Sequence, residues 1–329
     1  MRALVTGASG FLGGHVVAAL AADGACVRAF DRRAPSGGAV PDGVDVIEGD
    51  ILDVDAVHRA VEGCDAVFHL AAVYSYARAD VARMNAVNVR GTATLLDAAA
   101  RGMRRRVVHT SSCATCGPVP GRHATERDVP PRRELDVPYR RSKLEGERLA
   151  LRAAAEGGEV IVVNPTVPVG PGDHRPTPTG KMVADVAHGR ARGYLARSML
   201  NVVAAEDVAR GHLAALERGR PGERYLLGGD NMPVSEVFAA IARAAGRPAP
   251  RLPVPWTAAY AAALAAGALL RPFGREPQLL MVDEVRAGRL PHAFDDSKAR
   301  RDLGYSSRPA VVALGEATRS ALYRGSFAT

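Results

Sequence analysis

The sequence predicts an α/β chain built on a doubly wound parallel sheet, and three observations carry that prediction. Short apolar runs alternate with longer helical stretches through the first half of the chain. A glycine-rich turn, TGASGFLG (6–13), lies between the first apolar run and the first helical stretch. An acid, Asp31, closes the second apolar run 18 residues after Gly13. Alternation of strand and helix puts helices on both faces of a parallel sheet, because each crossover must return over it.

In chain order, ALVTG (3–7), CVRAF (26–30), VDVIEG (44–49), AVFHLAA (66–72), RVVHTSS (106–112) and EVIVVNP (159–165) read as strands. Between them, FLGGHVVAALAADG (11–24), VDAVHRAVEG (54–63) and NAVNVRGTATLLDAAARG (85–102) have helical spacing and end in Gly. A further helix-compatible stretch, YRRSKLEGERLALRAAAEGG (139–158), precedes the sixth strand. Regular structure pauses at the Pro/Gly-rich VPVGPGDHRPTPTG (167–180). Then come a helix, AAEDVARGHLAALERG (204–219), a strand, RYLLGG (224–229), and a helix, VSEVFAAIARAAGR (234–247). The organisation expected is a core domain over residues 1–165 and a smaller, mainly substrate-binding region over 166–329. About residues 200–228 of that region are expected to return to the core sheet. PWTAAYAAALAAGALL (255–270) is nearly all apolar but shorter than the roughly 20 residues of a membrane span. It predicts a buried or half-buried helix, with membrane-surface contact or a dimer face as the lesser alternative.

The chain has 329 residues, 47% of them hydrophobic, enough for one large core domain and a smaller partner. Four cysteines (Cys26, Cys64, Cys113 and Cys116) do not make a disulfide framework, and a reducing cytoplasm is the expected location. MRALVTG runs directly into the first strand, so no signal peptide is expected. The formal charge is +8, but the arginines are scattered. Even the RGMRRR run (101–106) lacks the interleaved aromatics of single-strand binding, so no nucleic-acid partner is expected. Cys113 and Cys116 spell C-x-x-C without a second pair, and His109, His123 and His174 show no ligand spacing, so no metal site is expected.

The turn at 6–13 carries the first functional reading. Gly7 permits a tight turn, Gly10 lets backbone approach a pyrophosphate, and Gly13 lets the helix pack close to the strand. The helix N-terminus then offers N–H groups and positive dipole to phosphates. The spacing is G-x-x-G-x-x-G rather than G-x-G-x-x-G. A carboxylate at Asp31 can accept hydrogen bonds from ribose hydroxyls and repel a 2′-phosphate, which argues for NAD. Arg32 and Arg33 follow at once and could bind that phosphate, which leaves NADP open.

Together with GDILD (49–53), HLAA (69–72), NVRGT (88–92), TSS (110–112), YRRSK (139–143), NPTVPVGPGD (164–173), VVAAEDVARGHLAAL (202–216) and FDDSKARRDLGY (294–305), the loop resembles the extended short-chain dehydrogenase/reductase family. This is the NAD-dependent epimerase/dehydratase group. The likeness is greatest to its hopanoid-associated sugar epimerase and dihydroflavonol-reductase-like branches, and it runs nearly the whole length. It implies a Rossmann-like sheet with Ser9, Phe11 and Leu12 joining the three glycines at the cofactor. Asp50 and Ile51 would meet the adenine, and Leu70, Ala71 and Ala72 would line the cofactor cleft. Pro165 and Val167 would flank the nicotinamide. Tyr139 becomes the acid/base, with Lys143 one turn away on the same helix face to lower the phenol pKa and hold the nicotinamide ribose. Ser112 would bind the substrate oxygen, Asn88 would support the site from a neighbouring helix, and Asn164 would lie near the substrate.

Relatives that dehydrate sugars carry Asp-Glu after the serine or threonine, and decarboxylating ones a Glu two positions on. Here the run is Ser112-Cys113-Ala114, so both reactions are disfavoured. Hydride chemistry at a secondary alcohol or ketone remains. An epimerase of a sugar or nucleotide sugar is the leading expectation, a net ketone or aldehyde reductase the alternative, and a non-catalytic cofactor sensor the least favoured. The substrate is a small molecule whose anionic groups, if any, could meet His174, Arg175, Lys181 or Arg197. Family habit suggests a homodimer through a helix bundle that includes the Tyr139 helix.

Overall fold

The structure, a computed structural model, describes residues 1–33, 41–101, 105–270, 277 and 281–325. Residues 102–104 of the RGMRRR run lie outside the described residues. The first six strands are β1 (Arg2–Thr6), β2 (Cys26–Asp31), β3 (Asp45–Glu48), β4 (Ala66–His69), β5 (Arg106–Thr110) and β6 (Val160–Pro165). The next six are β7 (Val167–Val169), β8 (Gly193–Leu195), β9 (Met199–Ala204), β10 (Arg224–Leu227), β11 (Asp230–Pro233) and β12 (Leu252–Val254). The first five helices are α1 (Phe11–Ala22), α2 (Val54–Val61), α3 (Val81–Asn85), α4 (Thr92–Ala100) and α5 (Pro138–Ala155). Then follow α6 (Pro178–Ala187), α7 (Ala205–Arg218), α8 (Val234–Ala244) and α9 (Trp256–Leu270). The last three are α10 (Val282–Ala287), α11 (Ser297–Leu303) and α12 (Ala310–Gly325).

The main sheet has seven strands in the order β10-β6-β5-β4-β1-β2-β3. Every pairing in it is parallel. Successive side chains of a strand alternate between faces. Val5 therefore packs with Val16, Leu20 and Val208 under α1 and α7. Leu4 goes to the opposite face, with Val57, Leu95 and Ala150 under α2, α4 and α5. A third core, built on Val169, Val202, Val237 and Leu314, lies among β7, β9, α8 and α12. β10, far along the chain, takes the outer edge of the main sheet beside β6.

The stretch read as one helix over 85–102 is interrupted. A π-turn, Ala86–Gly91, separates α3 from α4. Two local features accompany it. The Thr92 hydroxyl donates to the Asn88 carbonyl at 2.8 Å, and Gly91 packs so closely on Ile51 that a Cβ would come 2.9 Å from its Cγ2. Wide turns of this kind cluster at functional sites, and this one carries Asn88, whose side chain bonds Val73 and Ser142. α9 forms as expected and buries Ala259, Ala263 and Gly267. No helix among the described residues is long and apolar enough to cross a membrane.

Candidate active site

The strand order reverses between β1 and β4, and the crevice beyond their carboxyl ends is where a doubly wound sheet receives ligands. The glycine turn leaves β1 there. Gly7 adopts φ +69°, which glycine alone takes without steric cost, and a Cβ on it would meet the Ala71 nitrogen at 2.7 Å. A Cβ on Gly13 would overlap the Gly7 carbonyl oxygen. α1 starts at Phe11 with Gly10 as its cap and no side chain bonded to its first N–H groups. The cradle therefore fits a pyrophosphate, as the helix-terminus argument requires. Gly13→Ala is expected to reduce dinucleotide affinity about tenfold or more, since overpacking of this kind costs about 1–3 kcal/mol. Differential scanning fluorimetry checks it: NAD raises the wild-type midpoint, and the shift shrinks or disappears in the variant.

Asp31 ends β2 beside the turn. Its Oδ2 accepts from the Ser9 hydroxyl at 2.5 Å and the Ser9 N–H at 3.1 Å, and its Oδ1 accepts from the Arg32 N–H at 2.7 Å. The carboxylate thus organises the glycine turn; hydrogen bonds from ribose hydroxyls were the expectation for it. Arg32 and Arg33 are exposed just beyond it. Asp50 accepts from the Leu52 N–H at 3.0 Å, and Ile51 is buried against Gly91. Leu70 and Ala71 are half-buried after β4, whereas Ala72 is exposed. Pro165 closes β6 and Val167 opens β7.

Ser112 follows β5 and turns the chain: its Oγ accepts from the Ala114 N–H at 3.2 Å. Tyr139 is the second residue of α5 and half-buried, and Lys143 is buried one turn later. Burial pushes the Tyr139 phenol above its ordinary range, with a hydrogen bond to the Ser112 side chain opposing. The expectation that Lys143 lowers this phenol is corrected here. The ammonium donates instead to the Thr110 carbonyl at 2.7 Å. Burial pushes Lys143 itself down to about 8, with the Glu147 carboxylate opposing.

Asn88 is buried and fully bonded. Its Nδ2 donates to the Val73 carbonyl and the Ser142 hydroxyl, each at 3.0 Å, and its Oδ1 accepts from the Val73 N–H at 2.7 Å. It therefore ties the segment after β4 to α5, one residue from Lys143. Asn164 is wholly buried. Its Nδ2 reaches the Ser112 carbonyl (3.1 Å), the Thr115 hydroxyl (2.9 Å) and the Glu147 carboxylate (2.6 Å). Its side chain holds the Ser112 turn from behind, where contact with substrate was expected.

Six residues that sequence reasoning missed complete the site. The Tyr74 ring lies 4.4 Å from the Tyr139 ring, tilted by 36°, and its hydroxyl is 3.4 Å from that of Tyr76. Glu147 joins Arg224 at 2.7 Å, with both side chains largely buried. Arg140, 2% exposed, pairs with Glu134 at 3.2 Å and donates to the Gly117 and Ala287 carbonyls. A signal existed for Glu147: Tyr139, Lys143 and Glu147 recur every fourth residue on one helix face. None existed for Tyr74 and Tyr76, which lie in an irregular segment.

The histidines here are neutral. His69 is held between the hydroxyls of Thr6 (2.8 Å) and Thr92 (3.0 Å), and burial lowers it to about 3. Burial also lowers His109 well below its ordinary value. Cys113 and Cys116 are buried free thiols, and burial pushes Cys113 up to about 12. Neither is a ready nucleophile at neutral pH. Among the described residues no group of three or more His, Cys, Asp or Glu could hold a metal ion.

The sequence model of the NAD dependent epimerase/dehydratase family matches residues 3–228, which span every element of this site. The chain belongs to that family. Among its relatives is sterol demethylase protein B of Methylococcus capsulatus, 35% identical over 96% of this chain and 97% of that protein. Another is the 4-hydroxy-2-methyl-3-oxo-4-farnesyl-3,4-dihydroquinoline-1-oxide ketoreductase of Stigmatella aurantiaca, 33% identical over 94% of this chain and 92% of that protein. Among solved structures, the UDP-glucose 4-epimerase of Thermus thermophilus in complex with NAD superposes with a TM-score of 0.77. It is 26% identical, and the match covers 98% of this chain and 99% of that one. As a member of this family the chain is an enzyme of the extended short-chain dehydrogenase/reductase type, with a Rossmann-like sheet.

Proposed function

We propose that this enzyme transfers hydride between a nicotinamide dinucleotide and a secondary alcohol or ketone carbon, as a net oxidoreductase of an apolar carbonyl compound. The observation that carries the reading is the aromatic wall beside the acid. Tyr74, itself exposed, lies tilted against Tyr139, Tyr76 adjoins Tyr74, and desolvation of all three hydroxyls raises them, so each stays protonated at neutral pH. A flat apolar substrate fits against such a wall better than a sugar, which would need several polar partners. The anion contacts considered for a sugar phosphate do not strengthen the alternative. Lys181 is paired with Asp185 at 2.5 Å, and His174, Arg175 and Arg197 are exposed. The names of the two relatives above support the same substrate class.

A bound nicotinamide, NAD or NADP, would supply or accept the hydride at its C4. The chain's residues do the rest. Ser112 and Tyr139 bind the substrate oxygen, and Tyr139 passes it a proton in the reducing direction or takes one in the oxidising direction. Lys143, fixed on the Thr110 carbonyl one helical turn after Tyr139, would hold the nicotinamide ribose and keep a positive charge in the site. Asp31 favours NAD. No carboxylate follows Ser112 to take a proton from carbon, which disfavours dehydration.

The second reading is a sugar epimerase, favoured by the likeness to the NAD-bound UDP-glucose 4-epimerase. An epimerised ketone must turn over within the site, and the ring of Tyr74 confines the space beside Tyr139. Cofactor stoichiometry separates the two. Incubation with planar cyclic ketones and NADH or NADPH is expected to consume one reduced cofactor per alcohol formed. Turnover of a nucleotide sugar with no net cofactor change would sink the oxidoreductase reading.

A further inference from the structure

α9 is apolar on every side, yet only one side is covered. A helix of that kind is normally buried all round. Here Ala259, Ala263 and Gly267 pack inward with Val285 of α10. The outward positions are alanines, Thr257, Leu264 and Leu269, the two leucines 46% and 71% exposed. Leu252, just ahead in β12, is 60% exposed. The helix carries no charged residue. Over residues 237–270 the only charges are Arg243, Arg247 and Arg251, all exposed.

The first turn of α9 adds an aromatic pair. Trp256, the single tryptophan of the chain, stacks on Tyr260 with centroids 4.8 Å apart, and its Nε1–H donates to the Val285 carbonyl at 2.8 Å. Exposed Arg289 lies over the Trp256 ring at 5.1 Å. Of the two acids of α10, Asp283 is turned inward and Glu284 is exposed. Asp283 is buried and pairs with Arg286 at 3.2 Å, and Glu284 stands within electrostatic reach of Lys181 and Tyr76.

We infer that α9, with Arg289 over its first turn and exposed Arg251 just ahead of β12, docks on the surface of an anionic lipid bilayer. Its leucines enter the acyl boundary, Trp256 sits at headgroup level, and the arginines meet lipid phosphates. The charge pattern selects this occupant over a second copy of the chain. In a two-fold contact the patch would meet itself, which would crowd like arginines around an apolar centre with no acid on α9 or β12 to pair them. Its alanines are also the residue type that protein interfaces deplete. Docking would bring the active site near the lipid. α9 packs on α10, and Arg140, next to Tyr139, bonds the Ala287 carbonyl of α10 at 3.0 Å.

Trp256 reports the event without any substrate, so this test stands apart from the proposed reaction. Vesicles of phosphatidylcholine with phosphatidylglycerol are expected to shift its emission to the blue and to cosediment the full-length protein, whereas pure phosphatidylcholine vesicles do so weakly. Added salt should reverse the binding. Leu264→Glu/Leu269→Glu should abolish binding, and Arg251→Ala/Arg289→Ala should weaken it by about an order of magnitude. Leu264→Ala/Leu269→Ala, which keeps good helix formers, serves as the milder variant if the glutamates lower the thermal midpoint. Three results would overturn the inference: no Trp256 shift or cosedimentation with anionic vesicles, binding unchanged in these variants, or a dimer that Leu264→Glu/Leu269→Glu splits while vesicle binding persists.

Discussion

Tyr139→Phe is expected to lower kcat about 10²- to 10⁴-fold, the usual contribution of a positioned general acid, with the thermal midpoint and NAD binding nearly unchanged. The variant keeps the ring that packs against Tyr74 and loses only the hydroxyl. Ser112 is a far weaker acid, and the hydroxyls of Tyr74 and Tyr76 are held toward each other at 3.4 Å, so neither is expected to restore more than a small part of the rate. Turnover near the wild-type level would mean that the proton reaches substrate by another route. The pH profile of the wild type gives an independent check. Burial lowers Lys143 to about 8, so its ammonium is present below that pH and is lost above it. In the reducing direction kcat/KM should be level below about pH 8 and fall above it. The phenol contributes no limb in that range, because burial moves it upward. Lys143→Met should lower the plateau and remove the descending limb, which steady-state rates on either side of pH 8 would show.

The parts legible in the sequence are those that repeat a local rule. Gly7 and Gly13 signal a turn that no other residue fits, and the structure shows the contacts that forbid a Cβ. The strands of the main sheet were readable because buried parallel strands are continuous apolar runs, as EVIVVNP is. Tyr139 and Lys143 were readable only together with the glycine turn and the family likeness, since their spacing alone suits many ordinary helices. What stayed hidden depends on contacts between distant segments. Asn164 reads as a strand-end polar residue, and only the fold shows it beneath the Ser112 turn. The bond from Lys143 to Thr110 joins residues 33 apart, so helix spacing alone suggested the wrong partner for that ammonium. The π-turn at Ala86–Gly91 was unreadable because its residues suit an ordinary helix equally well.

Glu147→Ala is expected to destabilise the fold by about 3–5 kcal/mol, because it strands a buried partner charge. Glu147 is 1% exposed, and its carboxylate gathers three donors from three places in the chain. One oxygen accepts from the Thr115 hydroxyl and the Asn164 amide, each at 2.6 Å, and the other accepts from Arg224 at 2.7 Å. The network therefore binds the edge strand β10, the Ser112 turn and α5 to one another. Its loss should free Ser112 as well as lower stability, so kcat should fall by more than KM rises. Urea unfolding measures the first effect and steady-state kinetics the second. Glu147→Gln, which keeps the acceptor oxygen and the shape, should recover most of kcat and less of the stability. The double variant Glu147→Ala/Arg224→Met should be more stable than Glu147→Ala alone, since removing both members of a buried pair leaves no uncompensated charge. If the double variant were the less stable of the two, the stabilisation would lie in Arg224's bonds to the Glu126 and Asp128 carbonyls. The carboxylate at 147 would then be a bystander.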